Sequence, residues 1–270
     1  MRKFLTIGVA AGLLIGLAGA APAQAGGYGH DGRGNGARPA YLSVFHGVPG
    51  LAVDVYVNGA RTLDNFQPGS FAGPLTLPAG KYTVAITAAD AVDASAPVIG
   101  PIDLTLAQGK NYTVAAHLTA AGAPTATLFT NDTRRVPREQ GRLTVRHIAA
   151  APAVDVLAGP VAVISGLTNP NESALTLAAG TISVAVAAAG TTKPLIGPAD
   201  INVAKRTNTI VYAWGSLAGG NLAVAVQTVT LRPAHAGKHR EHAGHEHAGQ
   251  EHAGHEHAGH EHAGHERDGD

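Results

Sequence analysis

The residues able to do chemistry fall into two sets. The larger crowds the C-terminal end: His235, His239, His242, His245, His247, His252, His255, His257, His260, His262 and His265, eleven of the fifteen histidines of the 270-residue chain. They sit in a repeat of the form His/Gln-Glu-His-Ala-Gly, as in His255-Glu256-His257 and His260-Glu261-His262. Neutral imidazole is a good ligand for zinc, nickel and copper, and His-x-His units beside carboxylates let a pliant chain gather several donors round one divalent ion. Ala-Gly spacers without large apolar residues exclude a packed core, so residues 232–270 read as a disordered tail. A purification tag would be a plain His run, so this decorated repeat reads as native. One reading is a metal buffer or scavenger outside the membrane; the other is a solubilising tail grown by repeat slippage. The tail also titrates. Neutral histidines leave 4 basic and 8 acidic residues, a net −4, and eleven protonated imidazoles shift it to +7, centred on the ordinary His pKa of about 6.5. Adhesion to anionic cell-envelope polymers at acid pH is therefore a second use.

The second set is a pair of pairs. His46/Asp54 and His147/Asp155 each stand eight residues apart around a Pro-containing turn. As chemistry, a His–carboxylate pair can activate a nucleophile, which would make a hydrolase. As structure, the Asp accepts from a turn N–H or from the imidazole and ties one strand to the next. No G-x-S-x-G occurs and no Ser lies near the pair in both places, which favours the structural role. Asp103 and Asp200, each following Gly-Pro, read as turn acceptors, and His117 receives no role. Dinucleotide, P-loop, H-E-x-x-H and EF-hand spacings are absent from the body. No residue is assigned to catalysis or to cofactor binding, and no metal is required for the fold. With no cysteine, disulfides, thiolate metal sites and Cys nucleophiles are excluded. The body carries 13 Lys and Arg against 11 Asp and Glu; without a basic stripe it does not suit nucleic acid.

The elements that must position these residues follow from the texture of the chain. Residues 1–25 have the order of a secretory signal peptide: Arg2 and Lys3, the apolar stretch Phe4–Ala20, then Ala23-Gln24-Ala25. This predicts a secreted or otherwise extracytoplasmic protein, associated with the cell envelope, with no transmembrane segment once the signal is removed. Residues 26–39 form a Gly-rich linker. From Tyr41 the chain repeats itself. Ser43-Val44-Phe45-His46 and Ala52-Val53-Asp54-Val55 return as Thr144-Val145-Arg146-His147 and Ala153-Val154-Asp155-Val156. Leu75-Thr76-Leu77, Ile99-Gly100-Pro101 and Asn111-Tyr112-Thr113-Val114 return as Leu175-Thr176-Leu177, Ile196-Gly197-Pro198 and Asn208-Thr209-Ile210-Val211, the offset drifting only from 101 to 97.

Each copy is all-β. Tyr82, Val84 and Ile86 alternate with Thr83, Ala85 and Thr87, the period of a half-buried strand, and Ile182, Val184 and Val186 repeat that face. Seven runs, near 41–47, 52–58, 60–66, 73–78, 81–88, 102–107 and 111–118, with 124–130 as an eighth, have the spacing of an Ig-like or Greek-key sandwich. The predicted architecture is two tandem β-sandwich units, 40–131 and 142–231, joined through 132–141. Unit 1 has eight aromatics (Tyr41, Phe45, Tyr56, Phe66, Phe71, Tyr82, Tyr112, Phe129) and unit 2 only Tyr212 and Trp214. Unit 2 should therefore have the thinner core and lean on unit 1.

The opening His46-Gly47-Val48-Pro49-Gly50-Leu51-Ala52-Val53-Asp54-Val55-Tyr56-Val57-Asn58-Gly59 resembles the signature of the DUF4397 family, and Arg142 to Val156 is similar to it. The second opening departs from the pattern, with Ala151-Pro152-Ala153 ahead of Val154-Asp155. The resemblance implies an exported bacterial protein of uncharacterised function with the unit in tandem over about 41–231. Together these features point to an exported, non-enzymatic binding or scaffold protein whose tail takes divalent metal ions.

Overall fold

Short β-branched runs interrupted by Gly, Pro, Asn and Asp can only form brief strands, because those residues supply the turns and remove ladder donors. The computed structural model describes residues 38–232, and within them the runs become sixteen strands. The first copy gives β1 (Ala40–His46), β2 (Val53–Val57), β3 (Ala60–Phe66), β4 (Phe71–Leu77), β5 (Gly80–Ala88), β6 (Ile99–Leu106), β7 (Asn111–Leu118) and β8 (Pro124–Asn131). The second gives β9 (Gln140–His147), β10 (Val154–Ala158), β11 (Val161–Leu167), β12 (Glu172–Ala178), β13 (Gly180–Ala188), β14 (Pro194–Val203), β15 (Thr207–Trp214) and β16 (Ala223–Thr230). Among the described residues no helix is long and apolar enough to cross a membrane.

Each copy folds into two four-stranded sheets. In unit 1 they run β3-β2-β5-β6 and β4-β1-β7-β8; in unit 2, β11-β10-β13-β14 and β12-β9-β15-β16. The neighbours are antiparallel except β1 with β7 and β9 with β15, which are parallel. The fold class is thus all-β and sandwich-like, twice over. Leu42, Val44, Val55, Val84, Ile86 and Val114 fill the space between the first two sheets; Leu143, Val145, Val156, Val184, Val186 and Val211 fill the second.

The two sandwiches pack into one compact body by placing the β4-β1-β7-β8 sheet face to face with the β12-β9-β15-β16 sheet. The result is four layers, and the two middle ones are covered on both sides. That is why β7, β9 and β15 are buried along almost their whole length, whereas β12 alternates between half-buried and exposed. Phe45, Ala115, Phe129, Ile148, Ile210 and Tyr212 form a separate apolar cluster in this seam, with Phe71 and Trp214 against it. Three of the aromatics counted toward the filling of unit 1 therefore face unit 2, and both aromatics of unit 2 face unit 1. The unit 2 core is aliphatic throughout and holds a void of about 20 Å³ lined by residues including Val184, Ile196, Ala199 and Val224.

The repeated Ile-Gly-Pro has a backbone cause. Gly100 and Gly197 have φ of 94° and 87°, and a Cβ there would meet the carbonyl oxygen of Val84 at 2.7 Å or of Val184 at 3.0 Å. Only glycine fits where β6 and β14 break register with their neighbours.

Candidate functional site

The two His/Asp pairs are brought to equivalent places, at the end of β1 or β9 and within β2 or β10. In neither copy do the partners serve each other. The His46 imidazole donates from Nε2 to the Leu51 carbonyl at 2.7 Å, and His147 to that of Pro152 at 2.9 Å. Each closes the turn that follows its strand. Asp54 accepts the Asn65 N–H at 2.8 Å and the Arg61 guanidinium at 3.1 Å. Asp155 accepts the N–H groups of Gly166 and Gly190, both at 2.8 Å. Asn65 and Gly166 stand at the same repeat position, both left-handed at φ 51° and 63°, where β3 and β11 carry a bulge. Each Asp thus holds a bulge of the following strand closed, a structural role as expected but with a donor inside β3 or β11 rather than in the turn after the His. Burial pushes the His46 and His147 pKa values down, opposed by their carbonyl partners. The backbone donors of Gly166 and Gly190 hold Asp155 below the ordinary carboxylate range.

His117, given no role from sequence, is buried and committed as well: Nδ1 donates to the Leu118 carbonyl at 2.8 Å and Nε2 pairs with the Thr127 hydroxyl at 2.8 Å. Its pKa is pushed down by burial, with His147 adding to the effect. Asp103 and Asp200 are not turn residues; they lie within β6 and β14, and Asp103 accepts the Thr83 hydroxyl across the strand pair at 2.8 Å. The eleven tail histidines, the signal segment and all but the last two residues of the Gly-rich linker lie outside the described residues. Among the described residues no group of three or more His, Asp or Glu is arranged to hold a metal ion.

The seam carries the polar architecture that the sequence reading missed. Arg146 on β9 is 1% exposed. Its Nε donates to Glu172 at 2.7 Å, one terminal nitrogen to the Tyr212 hydroxyl at 2.6 Å and the other to Asn131 of unit 1 at 2.9 Å. The guanidinium carbon lies 4.2 Å from the Phe129 ring centroid and 5.2 Å from that of Tyr212. Tyr212 and Thr113 both donate to Gln227, at 2.7 and 3.0 Å, while Asn131 donates to Asn111 at 2.6 Å and Thr113 at 3.0 Å. Burial raises the Tyr212 pKa, which keeps the hydroxyl protonated as both donor and acceptor. Asn169 adds a second stitch, donating to the carbonyls of Leu118 and Ala149 at 2.8 and 2.7 Å.

Phe45 pairs across strands with Phe71, and Arg146 pairs across strands with Glu172, at the same place in the two copies. Unit 1 uses a stacked ring pair with centroids 4.5 Å apart; unit 2 uses an ion pair. An Arg at a repeat position otherwise filled by Phe was the available signal.

Beyond Arg146 the seam opens into a cleft of about 460 Å³. Its walls include Lys110, Asn131, Asp132 and Arg134 from unit 1 and the junction, and Thr144, Arg146, Glu172, Ser173 and Asn208 from unit 2, with Arg232 at the edge. Asp132 receives Arg134 bidentately at 2.8 and 3.0 Å and Arg142 at 3.4 Å, and the Arg134 hydrogen bonds are the main reason its carboxyl titrates low.

No curated protein matches the chain. A family model does, over residues 40–158, which takes in the whole of the first sandwich together with β9 and β10 of the second. Over that stretch, with its two His/Asp openings, the chain matches the model of the DUF4397 family, described as a domain of unknown function.

Proposed function

We propose that the protein is an exported, non-enzymatic binding protein whose His-rich tail takes up divalent transition metal, zinc, nickel or copper, and whose double sandwich is the scaffold that carries it. The observation behind this reading is where the imidazoles are. Eleven of fifteen stand in the last 36 residues, in His-Glu-His units, whereas His46, His117 and His147 are buried and spend ring nitrogens on carbonyl and hydroxyl partners. Donor nitrogens that already hold turns together are poor ligands; those in a polar repeat have no such duty.

The test is isothermal titration of zinc, nickel and copper at pH 7.5 into the chain from residue 26 onward and into its 26–232 truncation. Metal uptake in the longer protein that is lost in the shorter supports the reading, and equal stoichiometry in both ends it. A second use follows from the tail charge, which shifts from −4 to +7 on full protonation of its histidines. Adhesion to anionic envelope polymers that appears only below about pH 6 and survives chelation would make the tail a charge switch instead.

A further inference from the structure

The Arg146–Glu172 pair is an unusual choice for cohesion. Taking the Arg146 guanidinium out of water costs about as much as its pairing returns, and the same repeat position in unit 1 is served by the stacked Phe45 and Phe71 rings. The pair lies where the seam opens, and the residues lining the cleft beyond it are all polar or charged except Ala174. Four cations line it, Lys110, Arg134, Arg146 and Arg232, against two carboxylates, Asp132 and Glu172. Both carboxylates are spent: Asp132 on Arg134 and Arg142, Glu172 on Arg146. Lys110 and Arg232 have no carboxylate within ion-pair distance among the described residues. Three of the five guanidinium N–H donors of Arg146 are engaged.

We propose that this cleft is a binding site for a small hydrophilic anion bearing a phosphate or carboxylate group. The cleft volume falls in the range of small-ligand pockets, about 300–1,000 Å³. Its surplus of positive charge is held in a concavity with low-dielectric walls, which concentrates the field on an entering anion. Guanidinium and ammonium donors at the rim supply charge-assisted hydrogen bonds to the ligand oxygens. The half-buried Ser173 hydroxyl brings a neutral donor and acceptor for the rest of a polar molecule, while Asn131, Thr144 and Asn208 are buried and bonded within the wall, which fixes its shape. The lining draws on both sandwiches, so the site exists only because the two units are docked. This inference stands apart from the metal-binding tail and neither requires it nor is required by it.

Inorganic phosphate and glucuronate, titrated separately into the full chain at pH 7.5 and constant ionic strength with chloride as the balancing anion, test the proposal. The protein is first freed of metal on a chelating resin. Saturable binding of one anion per chain is expected, weakened about a hundredfold by Lys110→Ala with Arg232→Ala, since each charge-assisted contact is worth about a factor of ten. Both residues are exposed, so the melt of the double variant should match the parent. Glu172→Gln keeps an acceptor for Arg146 while removing the competing charge, and it should tighten binding severalfold. Tighter phosphate assigns a phosphate-bearing ligand, and tighter glucuronate a carboxylate-bearing one. No saturable heat with either anion, or an unchanged affinity in the Lys110/Arg232 variant, overturns the site.

Discussion

Arg146 is the residue on which the docking of the two sandwiches should turn, and its contribution can be separated into parts. Truncation to Ala removes three hydrogen bonds, a guanidinium 4.2 Å from the Phe129 centroid, and the buried stem. The partners are not all orphaned. Tyr212 still donates to Gln227, the Asn131 amide still donates to Asn111 and Thr113, and Glu172, 39% exposed, can turn to water. The cost therefore comes chiefly from the emptied volume and the lost cation–π contact, about 3–4 kcal/mol together. Arg146→Met keeps an apolar stem over Phe129 and should cost only about 1–2 kcal/mol, because most of the volume stays filled and the half-exposed Glu172 is left to water rather than stranded as a buried charge. Urea unfolding followed by two probes reads both effects. Trp214, the single tryptophan, stands in the seam with its ring centroid 6.0 Å from that of Phe45, while far-UV circular dichroism reports all sixteen strands. In the parent the two transitions should coincide; in Arg146→Ala the Trp214 transition should come first, as the sandwiches separate before they melt. A Met variant as damaged as the Ala variant would show that charge pairing, not volume, holds the seam, and coincident transitions in Arg146→Ala would refute the coupling.

Two further outcomes follow from the cores and the buried imidazoles. Ala199 on β14 pairs with Val184 as Ile102 on β6 pairs with Val84, and Ala199 lines the unit 2 void; Ala199→Val should place about one methyl in it and raise stability by about 0.8 kcal/mol, the value of one buried methylene, and a lower urea midpoint would show that the void is closed to position 199. Burial holds the pKa values of His46, His117 and His147 below their ordinary value, so the unfolded chain takes up protons that the folded one refuses; stability is full above about pH 6.5 and falls as pH drops through that value toward the folded pKa values. Asp132 and Asp155, held low, lose their contribution only in the more acid range beneath the ordinary carboxylate value, so a urea midpoint that does not change between pH 7.5 and 5.5 would contradict the histidine assignment.

What could be read from the residues was whatever repeats or alternates. Ile-Gly-Pro recurs because a register break at Gly100 and Gly197 admits no side chain, and the Asp of each opening recurs because each copy has a left-handed bulge to close. The strand at 81–88 was legible because one of its faces is half-exposed, which enforces period two. The seam was not legible for the same reason inverted. A strand covered on both sides loses its alternation: in β1, Val44 faces the sandwich core and Phe45 the other unit, and nothing in the spacing says that the second neighbour is a sandwich rather than water. Phe45, Phe71 and Phe129 were accordingly counted as filling for unit 1. Arg146 carries no local mark of burial; only its alignment with Phe45, and of Glu172 with Phe71, distinguishes it.

That divergence between the copies divides the labour along one surface. At the end of the seam where Phe45, Phe71, Tyr212 and Trp214 meet, ring centroids lie 4.5 to 6.0 Å apart, and the contact is apolar and closed, which suits adhesion between the units. At the other end the wall of the cleft is built on Asn131, Thr144, Arg146 and Asn208, buried and held by hydrogen bonds that cross from one unit to the other. Arg146 reconciles the two ends: its guanidinium lies against Phe129 and Tyr212 while its hydrogen bonds reach Asn131 and Glu172 at the cleft. One side chain thus joins the apolar contact to the polar opening, and the aliphatic core of unit 2 is supported by aromatics that both units place in the seam between them.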